Sequence, residues 1–211
     1  MRDAASRMDR MYAWQTPIYD WTRAPYLLGR DLMIEGLAPP PGGRILEIGC
    51  GTGRNLVAAA RRWPQARLYG LNVSSVMIRK ARDQTARAGL APALAQGDAT
   101  SFDAAQAFGV NGFDRIFFSY ALSMIPRWEQ ALAQACGQLA PAGRLAIVDF
   151  GDGAELPPVA RSALRAWLRL FDVAPRDELA PVLRDLAASR GLRAEARSIR
   201  RGYAVLASVA R

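Results

Sequence analysis

The stretch Arg44 to Asn55, RILEIGCGTGRN, constrains the chain more than any other. An apolar run, Ile45, Leu46 and Ile48, leads into three glycines on alternate positions, Gly49, Gly51 and Gly53. A helix-forming run follows, from Asn55 through the alanines at 58 to 60. Strand, glycine loop, helix is the nucleotide-loop arrangement of doubly wound α/β proteins, where bare backbone closely approaches a ligand. The spacing is G-x-G-x-G, not the G-x-G-x-x-G of dinucleotide binders. Glu47 stands two positions before the first glycine. A pyrophosphate wants free amides at a helix N-terminus, and a carboxylate beside them repels it. The loop therefore predicts a cationic or neutral ligand.

The rest of the chain repeats the alternation. Strands are predicted near 44–48, 67–71, 94–96, 113–119, 144–150, 192–199 and 203–209. Helices are predicted near 53–62, from Ser74 or Ser75 to Ala88, and over 127–140, 159–172 and 177–190, with a helix-poor loop at 99–112. The expected fold is α/β: a doubly wound, Rossmann-like, seven-stranded and mostly parallel sheet with an antiparallel last strand at its edge. Pro39-Pro40-Pro41-Gly42-Gly43 marks a boundary between an aromatic helical arm or lid, 1–40, and the main domain, 41–211.

Composition removes several chemistries. The chain has no histidine, so Ser-His and Cys-His pairs and histidine metal sites are excluded, and no metal is expected. Cys50 and Cys136 fit no metal or redox spacing, which predicts reduced thiols and a cytoplasmic setting. The longest uncharged run, Gln130 to Gly143, has 14 residues, too few to span a bilayer. The net charge of +9 is spread along the chain without a dense basic segment, so nucleic acid is not the expected partner.

Glu47, Gly49, Gly51, Gly53 and the later Gly97-Asp98-Ala99 and Ser119-Tyr120 fall in an order that resembles the class I S-adenosylmethionine-dependent methyltransferases. The sulfonium of that cofactor has the charge the glycine loop calls for. The resemblance covers Arg44 to Arg211 and implies the following roles. Glu47 and the three glycines wrap the methionine part. Asn72 stands where the family usually has an acid on the ribose hydroxyls. Val73 and Met77 flank the adenine, Asp98 accepts from its amino group with Ala99 beside it, and Ser119 lies near the reacting methyl. Outside that stretch, Arg30 is a candidate for a two-pronged contact with the cofactor carboxylate. The implied product is S-adenosylhomocysteine.

The arm, DRMYAWQTPIYDWTRAPYLLGRD over residues 9–31, resembles the N-methyltransferases of betaine-lipid synthesis. The resemblance implies trimethylation of the amine of diacylglycerylhomoserine and, as a functional partner, the enzyme that makes this lipid. A quaternary ammonium donates no hydrogen bond, and aromatic faces hold such cations at about 0.5–2 kcal/mol per ring. Tyr12, Trp14, Tyr19, Tyr26 and Tyr120 are the candidate rings, with Tyr19 and Tyr120 foremost. Tyr120, or Asp20 through water, is a candidate acceptor for the amine proton, and solvent is an alternative. Arg23 or Arg127 is a candidate for the homoserine carboxylate. A lipid substrate implies peripheral contact at the inner membrane surface. In 159–171, Arg161, Arg165 and Arg169 line one side of a helix opposite Leu164, Trp167, Leu168 and Phe171, a pattern of interfacial helices and equally of helices that cover a sheet. Phosphatidylethanolamine or a small soluble amine is the alternative acceptor. A non-catalytic cofactor- or lipid-binding module is the alternative of another class.

Overall fold

The computed structural model describes residues 27–170 and 173–210. Seven strands form one sheet in the order β3-β2-β1-β4-β5-β7-β6. They are β1 (Arg44–Ile48), β2 (Arg67–Asn72), β3 (Ala93–Gln96), β4 (Phe113–Ser119), β5 (Leu139–Phe150), β6 (Arg193–Ile199) and β7 (Ala204–Ala210). Strands β1 to β5 pair in parallel, and β7 runs antiparallel to both β5 and β6. The expected fold class holds with one correction. The single antiparallel strand lies between β5 and β6, and β6 forms the edge.

The helices are α1 (Arg30–Gly36), α2 (Arg54–Arg62), α3 (Ser75–Arg87), α4 (Ala104–Phe108), α5 (Trp128–Gly137), α6 (Pro158–Arg169) and α7 (Leu179–Ser189). Successive strand residues point to opposite faces. Leu46, Ile48, Ile116 and Phe118 therefore meet Trp128, Leu132, Leu179 and Leu183 of α5 and α7 on one side. Ile45 and Phe117 meet Met33, Ile34 and Leu168 on the other. Central strands covered on both faces carry apolar runs, as in Ile116, Phe117 and Phe118 of β4.

Three local differences from the sequence reading have physical causes. Residues 104–108 form a short helix in the expected loop, capped by the Asp103 carboxylate on the Gln106 amide at 2.7 Å and ended by Gly109 in the left-handed region. Helix α5 stops at Gly137, and β5 starts five residues early at Leu139. The Phe113 amide takes the Gln138 carbonyl, so pairing begins before the Pro141-Ala142-Gly143 turn and resumes at Arg115–Arg144 across a bulge. Helix α1, within the expected arm, packs on the sheet. Met33, Ile34 and Leu37 are buried, the Trp63 indole donates to the Ile34 carbonyl at 2.8 Å, and Arg115 donates to the Leu37 and Ala38 carbonyls.

Helix α6 turns Leu164, Trp167 and Leu168 onto the core, so its apolar side serves as sheet cover. Val159 and Leu170 stay exposed. Among the described residues no helix is long and apolar enough to cross a membrane.

Candidate functional site

The glycine loop leaves β1 with Gly49, Gly51 and Gly53 all in the left-handed region, at φ of +78°, +52° and +80°. Glycine adopts that region without the steric cost of a Cβ. A Cβ on Gly49 would stand 2.7 Å from that of Ala121, so this position is closed to side chains by the strand-β4 exit. Among the described residues, nothing lies within 4 Å of the missing Cβ of Gly51.

Glu47 lies below this loop with 1% exposure. Asn55 donates to its Oε1 at 2.6 Å, and Oε2 has no hydrogen-bond partner among the described residues. Burial raises the Glu47 pKa to about 8, and the Asn55 bond and the Arg30 guanidinium oppose the shift. Arg30, at the start of α1, is fixed by its own neighbour, with Nη2 2.8 Å from Asp31 Oδ1. A buried carboxylate oxygen short of one partner, in the field of a guanidinium, matches the ammonium and carboxylate of an amino-acid moiety.

The next two strand tips carry the other predicted groups. Asn72 ends β2 and is 9% exposed. Its Oδ1 accepts from the Ser74 amide at 2.9 Å, and Ser74 caps α3 through the Met77 amide at 3.3 Å. The Val73 carbonyl accepts from Gln96 at 3.0 Å, and the Met77 side chain is buried at the root of α3. Asp98, after β3, accepts from the amide and hydroxyl of Thr100 at 2.8 and 2.7 Å through Oδ1. Its Oδ2 faces Arg127 at 3.6 Å, and Ala99 is half-buried beside it. Arg127 thus sits at the Asp98 tip and also donates to the Thr100 hydroxyl at 3.2 Å.

On the other side of the cleft, Ser119 ends β4 with a buried hydroxyl that has no partner among the described residues. Tyr120 follows at φ +52°, uncommon for a residue with a large side chain and a mark of local strain. Its hydroxyl donates to the Leu28 carbonyl at 2.6 Å, and its ring meets Phe150 edge-on at 4.6 Å. Burial pushes the phenol pKa well above its usual value, with Tyr203 and Asp149 adding to the shift. The phenol is therefore a fixed donor, and its proton-accepting form is disfavoured. Tyr12, Tyr19, Asp20, Arg23 and Tyr26 lie outside the described residues.

Residues 45–143 match the family described as "Methyltransferase domain". The match runs from β1 to the first residues of β5. It is 32% identical over 180 residues to the malonyl-[acyl-carrier protein] O-methyltransferase of Methylococcus capsulatus, covering 83% of this chain and 62% of that protein. It is 31% identical over 125 residues to the ubiquinone/menaquinone biosynthesis C-methyltransferase of Cereibacter sphaeroides, covering 58% of this chain and 48% of that one. The chain thus spans about half to two thirds of the length of these relatives. Among solved structures, a SAM-dependent methyltransferase from Aquifex aeolicus superposes with a TM-score of 0.65 at 16% identity, covering 95% of this chain and 96% of the other.

Four residues that sequence reasoning passed over support these strand tips and the segment after β4. Asn55 holds Glu47, and Thr100 holds Asp98. Asp149, at the tip of β5, is fully buried and accepts from the Ser123 and Phe150 amides at 3.1 and 2.8 Å. Burial raises its pKa, and its hydrogen bonds pull the other way. Arg176 donates to the carbonyls of Leu122 and Ile125 at 3.1 and 2.8 Å and ties down the segment after β4. Only Asp149 left a signal, as a carboxylate at the end of the apolar run LAIVDF.

Proposed function

We propose that the protein is an S-adenosylmethionine-dependent methyltransferase whose acceptor is the amine of diacylglycerylhomoserine, methylated stepwise to the trimethyl betaine lipid at a membrane surface. The observation that carries the cofactor half is the Glu47 oxygen left without a partner, in the field of Arg30 and under three left-handed glycines. In this reading Glu47 takes the cofactor ammonium and Arg30 its carboxylate. The backbone of Gly51, with Gly49 and Gly53, follows the methionine chain. Asn72 meets the ribose, Val73 and Met77 flank the adenine, and Asp98 with Ala99 meets its edge. Ser119 lies beside the methyl.

Bound S-adenosylmethionine supplies a methyl already activated on a sulfonium. The chain's task is then to align the acceptor with it and exclude water. No histidine is present, and the Tyr120 phenol is a committed donor. That favours an acceptor that is nucleophilic without a strong enzymic base, as a free amine is. The amine of homoserine rests on the arm's resemblance, which also assigns Tyr12, Tyr19, Tyr26 and Arg23 to the substrate and Asp20 to the amine proton.

A carboxylate acceptor is the second reading. It too needs no base, and the relative from Methylococcus capsulatus is named as an O-methyltransferase. One assay separates the two. Purified protein, deuterated-methyl cofactor and either diacylglycerylhomoserine vesicles or carboxylate acceptors are incubated, and products are read by mass spectrometry. Up to three labelled methyls on nitrogen support the first reading. A base-labile single methyl on oxygen supports the second, and transfer to neither defeats both.

A further inference from the structure

The polar ends of β1 and β4 meet at one seam, and Tyr120 sits in it. On one side its successor Ala121 abuts the glycine loop, so closely that Gly49 tolerates no Cβ. On the other, its hydroxyl reaches the Leu28 carbonyl, two residues before Arg30. Gly29 between them is left-handed at φ +86° and packs against Ile199 so tightly that a Cβ there would collide with the isoleucine side chain. The Gly29 carbonyl then accepts the Met33 amide at 2.9 Å and opens α1. The guanidinium at the head of α1 acts on Glu47 from this root.

Tyr120 is held on three sides. Its amide donates to the Val148 carbonyl at 2.7 Å, its ring packs on Phe150, and its hydroxyl is used by Leu28. A non-glycine residue persists at positive φ only where its surroundings over-determine it. Ring packing alone would be met by phenylalanine. The hydroxyl adds one specific thing, a fixed position for the chain entering α1.

We propose that Tyr120 is a positioning residue of the cofactor site. Its hydroxyl seats Leu28–Gly29, and so holds the Arg30 guanidinium where it clasps the carboxylate end of the cofactor. The inference rests on the cofactor reading above. It assigns Tyr120 to the amino-acid end of the cofactor through Arg30, separate from any contact with the acceptor.

The test is a double-variant cycle read by calorimetric titration of S-adenosylhomocysteine into wild type, Tyr120→Phe, Arg30→Gln and the double variant. Tyr120→Phe keeps the ring and is expected to weaken binding about fivefold, the scale of one neutral hydrogen bond. Arg30→Gln is expected to weaken it about tenfold, the scale of a charge-assisted contact. The double variant should be no weaker than Arg30→Gln alone. 5′-Methylthioadenosine, which lacks the amino-acid tail, should bind wild type and Tyr120→Phe equally.

Multiplying penalties in the double variant, wild-type affinity in Tyr120→Phe, or an equal loss for methylthioadenosine would each overturn the proposal while leaving the cofactor reading intact. A wild type that binds neither ligand defeats the cofactor reading itself. Hydrogen exchange on the wild type gives a second readout should the phenylalanine variant unfold. S-adenosylhomocysteine should slow exchange in peptides covering 27–36, and methylthioadenosine should not; equal slowing by both overturns the proposal.

Discussion

The tips of β1, β2 and β3 differ in kind from the tips of β4 and β5. At the first three, each polar side chain is held by a near neighbour in sequence. Asn55 holds Glu47 from eight residues away, the Ser74 amide holds Asn72 from two, and Thr100 holds Asp98 from two. At the last two, long ties are added, although Asp149 also accepts from the adjacent Phe150 amide. Tyr120 reaches Leu28 across 92 residues, Asp149 takes the Ser123 amide across 26, and Arg176 reaches the Leu122 carbonyl across 54. Short ties form with the loop that carries them. Long ties exist only once the sheet is assembled. The tips of β1 to β3 are therefore organised locally and those of β4 and β5 globally, and the two should respond differently to substitution.

Glu47→Gln should give the largest effect and keep it local. The Glu47 pKa stands at about 8, above the unfolded carboxyl value. The native state then binds the extra proton between those two values, so this group's contribution to stability is full in acid, falls as pH rises toward 8, and is flat beyond. Gln removes the dependence. Its stability relative to wild type should rise across that window by on the order of 4 kcal/mol, read by urea unfolding at several pH values. A flat difference would mean that Glu47 is ionised in the free protein. Cofactor binding supplies the second readout. At pH 7 the wild type should release about one proton on binding S-adenosylhomocysteine, as the ammonium draws Glu47 into its ionised form, and Glu47→Gln should release none. Titration in two buffers of different ionisation enthalpy measures this directly.

Asp149→Asn probes the global side. Both oxygens accept from amides, of Ser123 and Phe150. Asn offers one acceptor and turns its NH2 toward the other donor, at a cost of about 2 kcal/mol. In the proposed reading the segment after β4 should loosen, raising the acceptor KM while S-adenosylhomocysteine affinity stays within about twofold, because Glu47, Asn72 and Asp98 keep their own short-range partners. Loss of cofactor affinity to the same degree would break the division between the two sides.

The same division decides what the sequence reveals. The glycine loop, the Ser74 cap and the Gly97-Asp98 turn are legible because their residues and their partners lie within one short window. The parallel pairing of β1 to β5 follows from the alternation of strands and helices. What escapes is long-range. Tyr120 reads as a free ring because Leu28 is not its neighbour in sequence. The pairing of Arg127 with Asp98 is hidden because it depends on how α5 enters. Asp149 is visible only as an oddity until Ser123 is brought over it. The insertion of β7 between β5 and β6 is likewise a choice between two edge arrangements that carry the same alternating pattern.

Asn72→Asp is the smallest effect and the finest probe of the local side. The Ser74 amide already takes one side-chain oxygen of Asn72. What remains is an NH2, which can donate to a ribose oxygen but accepts nothing. Asp leaves the Ser74 contact in place and offers its second oxygen to a ribose hydroxyl. Two terms oppose each other. Ionising a residue that is 9% exposed has a desolvation cost. Against it stand the capped N-terminus of α3 two residues on, which favours negative charge, and the charge-assisted bond gained. The balance should be about 1 kcal/mol in favour of the acid, or roughly fivefold tighter S-adenosylhomocysteine by calorimetry. The gain should be present for methylthioadenosine too, since that ligand keeps the ribose. A gain for one ligand only would move Asn72 away from the ribose, and weaker binding of both would mean that the amide, and not an acid, is what this strand tip is built to hold.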